Sequence, residues 1–180
     1  MNRLLVGGIG ISLLGALLYV VGIATPAWME AEEQQGLKKE EFGLWQICGT
    51  YRGVTICTAY PDTTMSTMSG ALHATRAFAI IGSLMLIPGI ALACFAAKKN
   101  INKGKLIGGA LTIAGGVCGV IAAAIFAGRV NAVLQPGVAV PYGYSFHLTW
   151  AQAVFTIGGG VAMIVAGRRD QEDELPVLRD

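Results

Sequence analysis

The sequence is poor in charge. Asp, Glu, Lys and Arg make up 13% of its 180 residues, whereas soluble domains contain about a quarter. Hydrophobic residues make up 54%, and the mean hydropathy is +0.59. These values indicate a membrane protein. The net charge of +2 is small, so no nucleic-acid partner is expected.

Residue patterns typical of catalytic, metal-binding or phosphate-binding sites are also scarce. The two histidines, His73 and His147, are far apart, and neither has Cys or carboxylate neighbours at metal-binding spacing. The glycines form no phosphate-binding loop, and there is no nucleophile elbow. We therefore expect no enzymatic activity, no catalytic residue, no metal and no cofactor.

Long runs without charge dominate what is present. There are four of them, at about 4–24, 77–97, 106–128 and 146–167. About 20 residues at about 1.5 Å each cross a hydrocarbon core of roughly 30 Å. Backbone amides must be satisfied within each segment in lipid, so the runs are predicted to be helices. The first run is longer than the 7–15 or so residues of a signal-peptide core, which favours an uncleaved helix. With no charge inside the spans, an ion or proton pathway through the bundle is not expected.

The basic residues predict the orientation. Seven of them fall between or beside the spans on one side of the membrane: Arg3, Lys98, Lys99, Lys103, Lys105, Arg168 and Arg169. The positive-inside bias assigns this side, and with it both termini and the tail 168–180, to the cytoplasm. Residues 25–76 and 129–145 then form two extracellular segments.

A hairpin is predicted in the first extracellular segment. Residues 44–48 and 54–60 are rich in aromatic and β-branched side chains, and a short polar stretch with glycines separates them. Cys48 and Cys57 would face each other closely enough for a disulfide, in a compartment where one persists. Such a bond would stabilise the fold by roughly 2.5–3 kcal/mol.

The other two cysteines fall inside spans. Cys94 and Cys118 are interpreted as small buried hydrophobes. Because Cys94 lies four residues before Lys98, near the inner end of its span, it is also a candidate for palmitoylation.

The first extracellular segment also carries most of the acids. Residues 25–75 contain six acidic and three basic side chains. They serve either solubility or an electrostatic surface that attracts cations or a basic partner; the candidates for that surface are Glu30, Glu40, Glu41 and Asp62. Trp28 is placed at the membrane interface as an anchor, and Arg76 is placed where it could fix the sheet to the bundle.

Glycine is abundant inside the spans, with Gly115 and Gly119 forming a GxxxG pair. Small residues allow helices to approach closely in lipid. The glycines therefore indicate either tight packing within one four-helix bundle or contact with a partner's helices.

One set of residues occurs in the order shared by a known superfamily: Trp28, then the step Gly43-Leu44-Trp45, then Cys48 and Cys57. The chain resembles the claudins, peripheral myelin protein, the epithelial membrane proteins, the lens fibre membrane protein and the calcium-channel gamma subunits. The resemblance covers almost the whole chain. It implies one domain over 1–180: a mainly α, left-handed bundle of four transmembrane helices with a small antiparallel extracellular β-sheet. It also implies that the two cysteines are bonded, and that Trp28 and residues 43–45 pack where the sheet meets the membrane.

The resemblance implies residence in the lipid bilayer of the plasma membrane, often at cell–cell contacts. Three hypotheses about function follow. The first is a junction or adhesion protein that associates with copies of itself in the same and the opposing membrane, forming or sealing a paracellular barrier. A cation-selective paracellular channel lined by the acids named above is a special case. The alternative is an auxiliary, gamma-like subunit that modulates an ion channel or receptor, and a growth- or trafficking-related role like that of the epithelial branch is a third hypothesis.

Overall fold

Four long helices and one small sheet make up the fold. The computed structural model describes residues 3–32, 38–60, 65–133 and 142–174. In chain order the elements are α1 (Arg3–Ala24), β1 (Met29–Glu32), β2 (Lys38–Phe42), β3 (Gln46–Tyr51), β4 (Val54–Ala59), α2 (Met65–Lys99), α3 (Asn102–Val133) and α4 (Tyr144–Glu174). Each helix contains a stretch long and apolar enough to cross a membrane. The predicted fold class, a four-helix membrane protein with a small antiparallel sheet between the first two helices, is confirmed.

Three helices extend beyond the apolar runs. α2 begins at Met65 rather than near 77, so residues 65–76 are helix. α3 continues to Val133 and α4 to Glu174. Hydropathy locates only the part of a helix that matches the hydrocarbon, whereas the helix itself continues through polar residues. At 35 residues, α2 is about 52 Å long, so it projects well past a bilayer core on the side of the sheet.

The helices pack side by side in the order α1, α4, α3, α2. The buried residues of α1 recur at alternating steps of three and four: Leu5, Gly8, Ser12, Gly15, Tyr19 and Gly22. On α4 the buried polar residues Ser145, Thr149, Gln152 and Thr156 recur in the same way. This is the heptad spacing of left-handed helix packing. Most residues of these buried seams are small or polar, while leucines such as Leu13 and Leu17 are exposed, as lipid-facing positions should be.

Glycines bring the backbones together. A Cβ on Gly8 would lie 2.9 Å from the carbonyl oxygen of Gly159 on α4. One on Gly115 would lie 2.8 Å from the carbonyl oxygen of Gly82 on α2, and one on Gly119 would meet Tyr19 and Gln152 at 2.6 Å. The GxxxG pair therefore packs within the chain, and the first interpretation of the glycines holds for these positions.

Replacing Gly8 by Leu is expected to lower the free energy of unfolding by about 2–3 kcal/mol, because the new side chain collides with backbone that cannot move aside. The matched control is Gly7→Leu, since a Cβ there meets nothing within 4 Å. Thermal unfolding of the two variants in detergent checks this. Equal melting temperatures would contradict the packing described.

The sheet has four strands in the order β1-β2-β3-β4. All neighbours are antiparallel, with Glu30 opposite Glu41 and Glu41 opposite Cys48. β3 and β4 are joined by the two-residue turn Arg52-Gly53, whose φ angles are 50° and 82°; this left-handed pair is typical of tight hairpins. The first strand of the hairpin thus runs over 46–51 rather than the predicted 44–48, because a two-residue turn lets pairing continue up to Tyr51 and Val54.

Candidate functional site: the junction between the sheet and the bundle

A disulfide closes the outer hairpin. Cys48 and Cys57 stand opposite each other in the β3–β4 register and are bonded, which confirms the predicted bridge. Cys48 is buried and Cys57 is exposed. The bond thus ties the outermost strand to β3, which itself pairs with β2.

Replacing Cys48 and Cys57 together by Ser is expected to cost about 2.5–3 kcal/mol, through the larger entropy of the unfolded loop. The double variant should reach the cell surface poorly while its four helices still insert. Surface biotinylation measures delivery, and glycosylation-site mapping measures insertion. Replacing Cys118 alone is the control, because that thiol is free. Wild-type surface levels of the double variant would show that the bridge is dispensable.

Trp28 fills the centre of the junction. Its indole is fully buried, and its Nε1 donates a hydrogen bond to the Gly22 carbonyl oxygen over 2.9 Å. The ring packs edge-on against Phe126 of α3 and Phe146 of α4, with centroid distances of 5.0 and 6.0 Å. The expectation of an anchor in the membrane interface is therefore wrong for Trp28: its ring lies inside the protein, because three helices converge on it.

The Gly43-Leu44-Trp45 step is the turn between β2 and β3, and it contacts the last turn of α1 and Arg76 of α2. Trp45 Nε1 donates to the Ile23 carbonyl oxygen over 2.7 Å. Arg76 Nε donates to the Leu44 carbonyl oxygen over 2.6 Å. Position 43 must be glycine because the backbone of Pro26 packs against it: a Cβ there would lie 2.5 Å from Pro26 Cα. The step therefore packs against the top of the bundle.

Arg76 and Tyr60 hold this turn from the side of α2. The Arg76 guanidinium lies 5.6 Å from the Trp45 ring centroid and 5.4 Å from that of Tyr60, within cation–π range. The Tyr60 hydroxyl donates to the Gly43 carbonyl oxygen over 2.7 Å. Burial raises the pKa of the Tyr60 phenol, and the Arg76 charge opposes that rise. Tyr60 therefore keeps its proton and its donor role at neutral pH.

The start of α4 forms a second link that the sequence did not reveal. Gly143 N donates to the Trp28 carbonyl oxygen over 3.1 Å, and Ser145 N donates to the Ala27 carbonyl oxygen over 3.0 Å. Tyr142 bridges to Met29. The segment between α1 and α2 is thus fastened to α4 as well as to α1 and α2. The sequence contained one indication of this link, the glycine at position 143 between two tyrosines. The structure explains the glycine, since a Cβ on Gly143 would collide with the Ala27 carbonyl oxygen.

The acids of the proposed electrostatic surface are paired with lysines. Lys39 Nζ lies 3.0 Å from Glu30 and 2.8 Å from Glu41, and Lys38 Nζ lies 2.8 Å from Glu40. The hydrogen bonds to Glu41 and then to Glu30 raise the pKa of Lys39. Such exposed pairs are worth about 0–1 kcal/mol each. Asp62 lies outside the described residues.

The opposite end of the bundle holds a buried charge. Lys105 was expected in a cytoplasmic loop, but it lies in the first turn of α3 and is 1% exposed. Its Nζ donates to Asp170 over 2.7 Å, to Asn102 over 2.8 Å and to Asn100 over 2.9 Å. Lys105 thereby joins α4 to the α2–α3 turn. No local pattern marks it, since Asp170 is 65 positions away.

The remaining candidate positions are partly covered. Cys94, proposed for palmitoylation, and Cys118 are free thiols of intermediate exposure. Cys94 packs beside Tyr19, Leu86 and Ile90. Among the residues that the structure describes, no group of three His, Cys, Asp or Glu side chains could hold a metal ion.

Comparison with known proteins agrees with this architecture. The chain is similar to Claudin-7-A of Danio rerio, with 26% identity over 184 residues that cover 92% of this chain and 86% of the relative. The family model described as PMP-22/EMP/MP20/Claudin matches residues 1–163. The protein is therefore a multi-pass membrane protein that belongs to the PMP-22/EMP/MP20/Claudin family.

Proposed function

We propose that this protein acts at cell–cell junctions in the plasma membrane, where copies associate within one membrane and across two. The observation that carries the proposal is the seating of the disulfide-clipped sheet on the bundle through Trp28, Trp45, Tyr60 and Arg76. A sheet held at so many points is presented as a rigid body. Rigid presentation lowers the entropic cost of binding another protein.

The outer hairpin supplies an apolar surface for such contacts. β3 and β4 contain no charged residue. Tyr51, Val54 and Ile56 are 56%, 63% and 66% exposed, and they lie on one face because strand side chains alternate. Ile56 stands opposite Gly49, which offers no side chain to cover it. Membership in the family supports the same role.

Non-adherent cells that express the protein test the proposal. The protein should be enriched where two expressing cells touch, and Val54→Gln with Ile56→Gln should abolish enrichment at unchanged surface levels. The control is Thr55→Gln, on the other face of β4. Uniform distribution of the wild-type protein around the cell would overturn the junction role.

Within this proposal, the chain seals rather than conducts cations. Glu30, Glu40 and Glu41 are engaged by two lysines, so the five side chains together carry a net charge of −1 rather than the −3 of the acids alone. The dilution potential across monolayers of expressing cells gives the ratio of cation to anion permeability. Replacing all three acids by Gln should change this ratio by less than about twofold, which corresponds to about 0.4 kcal/mol. A larger loss of cation preference would instead favour an acid-lined channel.

The second candidate is an auxiliary subunit of an ion channel or receptor. It is favoured by three glycines that face away from the bundle: a Cβ on Gly7, Gly10 or Gly158 would meet nothing within 4 Å. Such positions allow a partner helix to approach closely. Purification from native membrane separates the candidates, because a stoichiometric channel polypeptide favours the second and homo-oligomers favour the first.

Palmitoylation of Cys94 stays a proposal and is tested by acyl exchange on C94S.

A further inference from the structure

Six basic side chains surround the end of the bundle opposite the sheet. All are exposed: Arg3, Lys98, Lys99, Lys103, Arg168 and Arg169. They come from the first turn of α1, the last turn of α2, the first turn of α3 and the later part of α4. Every helix of the bundle therefore contributes, and we call these six side chains the basic ring.

Packing places members of the ring at a similar level. Leu5, Ala93, Met163 and Ala166 form one buried cluster, with Ala97 packed against it. Arg3 lies two residues before Leu5, Lys98 directly follows Ala97, and Arg168 lies two residues after Ala166. These three members of the ring therefore lie within two residues of the apolar residues of this cluster, on its outer side.

The acids whose side chains are described at this end are Asp170 and Glu172. Asp170 is engaged by the buried Lys105 over 2.7 Å. Among the described side chains here, Glu172 is the one exposed acid. It follows Arg168 by four residues, which places it about 6 Å farther along the helix axis from the membrane. Among the described side chains, positive charge is thus concentrated at headgroup depth, with the exposed acid beyond it.

We infer that the basic ring binds the headgroups of anionic phospholipids in the adjoining leaflet. Each Lys or Arg near an anionic membrane surface contributes about 1 kcal/mol of attraction, or about fivefold in affinity. The charge distribution assigns this end to the cytoplasm, whose leaflet carries the anionic lipids. The partner is therefore a phosphate-bearing lipid held among several side chains.

Native mass spectrometry of the full chain in micelles tests this, with phosphatidylserine and phosphatidylcholine as competing probes. The wild type should retain phosphatidylserine preferentially, and Lys98→Gln, Lys99→Gln and Lys103→Gln together should weaken its binding at least about tenfold. The control removes three cations from the sheet instead: Lys38→Gln, Lys39→Gln and Arg52→Gln. That variant has the same net charge and should bind like the wild type.

Equal loss in the two triple variants would overturn the proposal, because net charge alone would then explain the binding. So would an unchanged preference in the first triple variant. Arg168→Gln with Arg169→Gln provides a second, independent perturbation and should also weaken binding. Displacement of the lipid by millimolar phosphoserine would point to a site for soluble phosphate and would contradict a membrane surface.

Discussion

Replacing Arg76 by Met is expected to loosen the sheet from the bundle and to lower the free energy of unfolding by about 3 kcal/mol. The substitution leaves the Leu44 carbonyl oxygen without the donor that lies 2.6 Å away. It also removes the cation that lies within 5.6 Å of the centroids of the Trp45 and Tyr60 rings. A charged hydrogen bond contributes about 1.5–3 kcal/mol and a cation–π contact about 0.5–2 kcal/mol.

Two measurements separate loosening of the sheet from general destabilisation. Thermal unfolding in detergent gives the loss of stability, and limited proteolysis between Phe42 and Cys57 reports release of the sheet while the helices persist. Arg52→Met is the matched control, because Arg52 lies over Tyr51 at the hairpin tip, where the ring is 56% exposed. An Arg76→Met protein as stable and protease-resistant as Arg52→Met would show that Arg76 does not hold the turn.

The substitution Arg76→Lys separates the contribution of the charge of Arg76 from that of its planar guanidinium. A lysine keeps the positive charge but lacks the planar guanidinium that both donates to a carbonyl and stacks on rings. We expect stability between that of the wild type and of Arg76→Met. Full retention would mean that the charge alone matters and that the geometry around Leu44 does not.

The parts of the fold that the sequence predicts are those with local or compositional signals. The hydrocarbon core imposes uncharged runs of about 20 residues, so the helices could be located. Cys48, Cys57 and Gly53 marked the hairpin. By contrast, β2 has the sequence Lys-Lys-Glu-Glu-Phe, which does not alternate between apolar and polar. Its pairing depends on neighbours rather than on its own pattern, so the inner half of the sheet was not located.

The junction was only partly predictable for a related reason. Trp28, Trp45 and Arg76 are unusual residues at segment boundaries and stand out singly. Their contacts do not stand out, because the partners are far apart in sequence. Arg76 is 32 positions from Leu44. In the same way, the Tyr19 hydroxyl donates to the carbonyl oxygen of Ala79, which is 60 positions away. Charge patterning likewise places lysines at a membrane face but cannot tell an exposed one from a buried one.

Lys105 is the clearest such case, and replacing it by Met should cost about 3 kcal/mol or more. Breaking a buried ion pair by removing one partner costs about 3–5 kcal/mol, because the other charge stays buried. The Asp170 side chain is 24% exposed, so partial hydration places the loss near the lower figure. Lys103→Met removes an exposed lysine two positions away and should change stability by no more than about 0.5 kcal/mol.

The double variant Lys105→Met with Asp170→Asn identifies the cause. If the cost arises from an uncompensated carboxylate, neutralising Asp170 should restore a good part of the stability lost by Lys105→Met. Recovery should be incomplete, because Asn100 and Asn102 also lose the donor they share, and Asn100 occupies a left-handed backbone conformation with φ of 52° that this contact helps to hold. Unfolding of the four proteins of the cycle gives the coupling energy. Simple additivity of the two substitutions would show that Lys105 and Asp170 do not act as a pair.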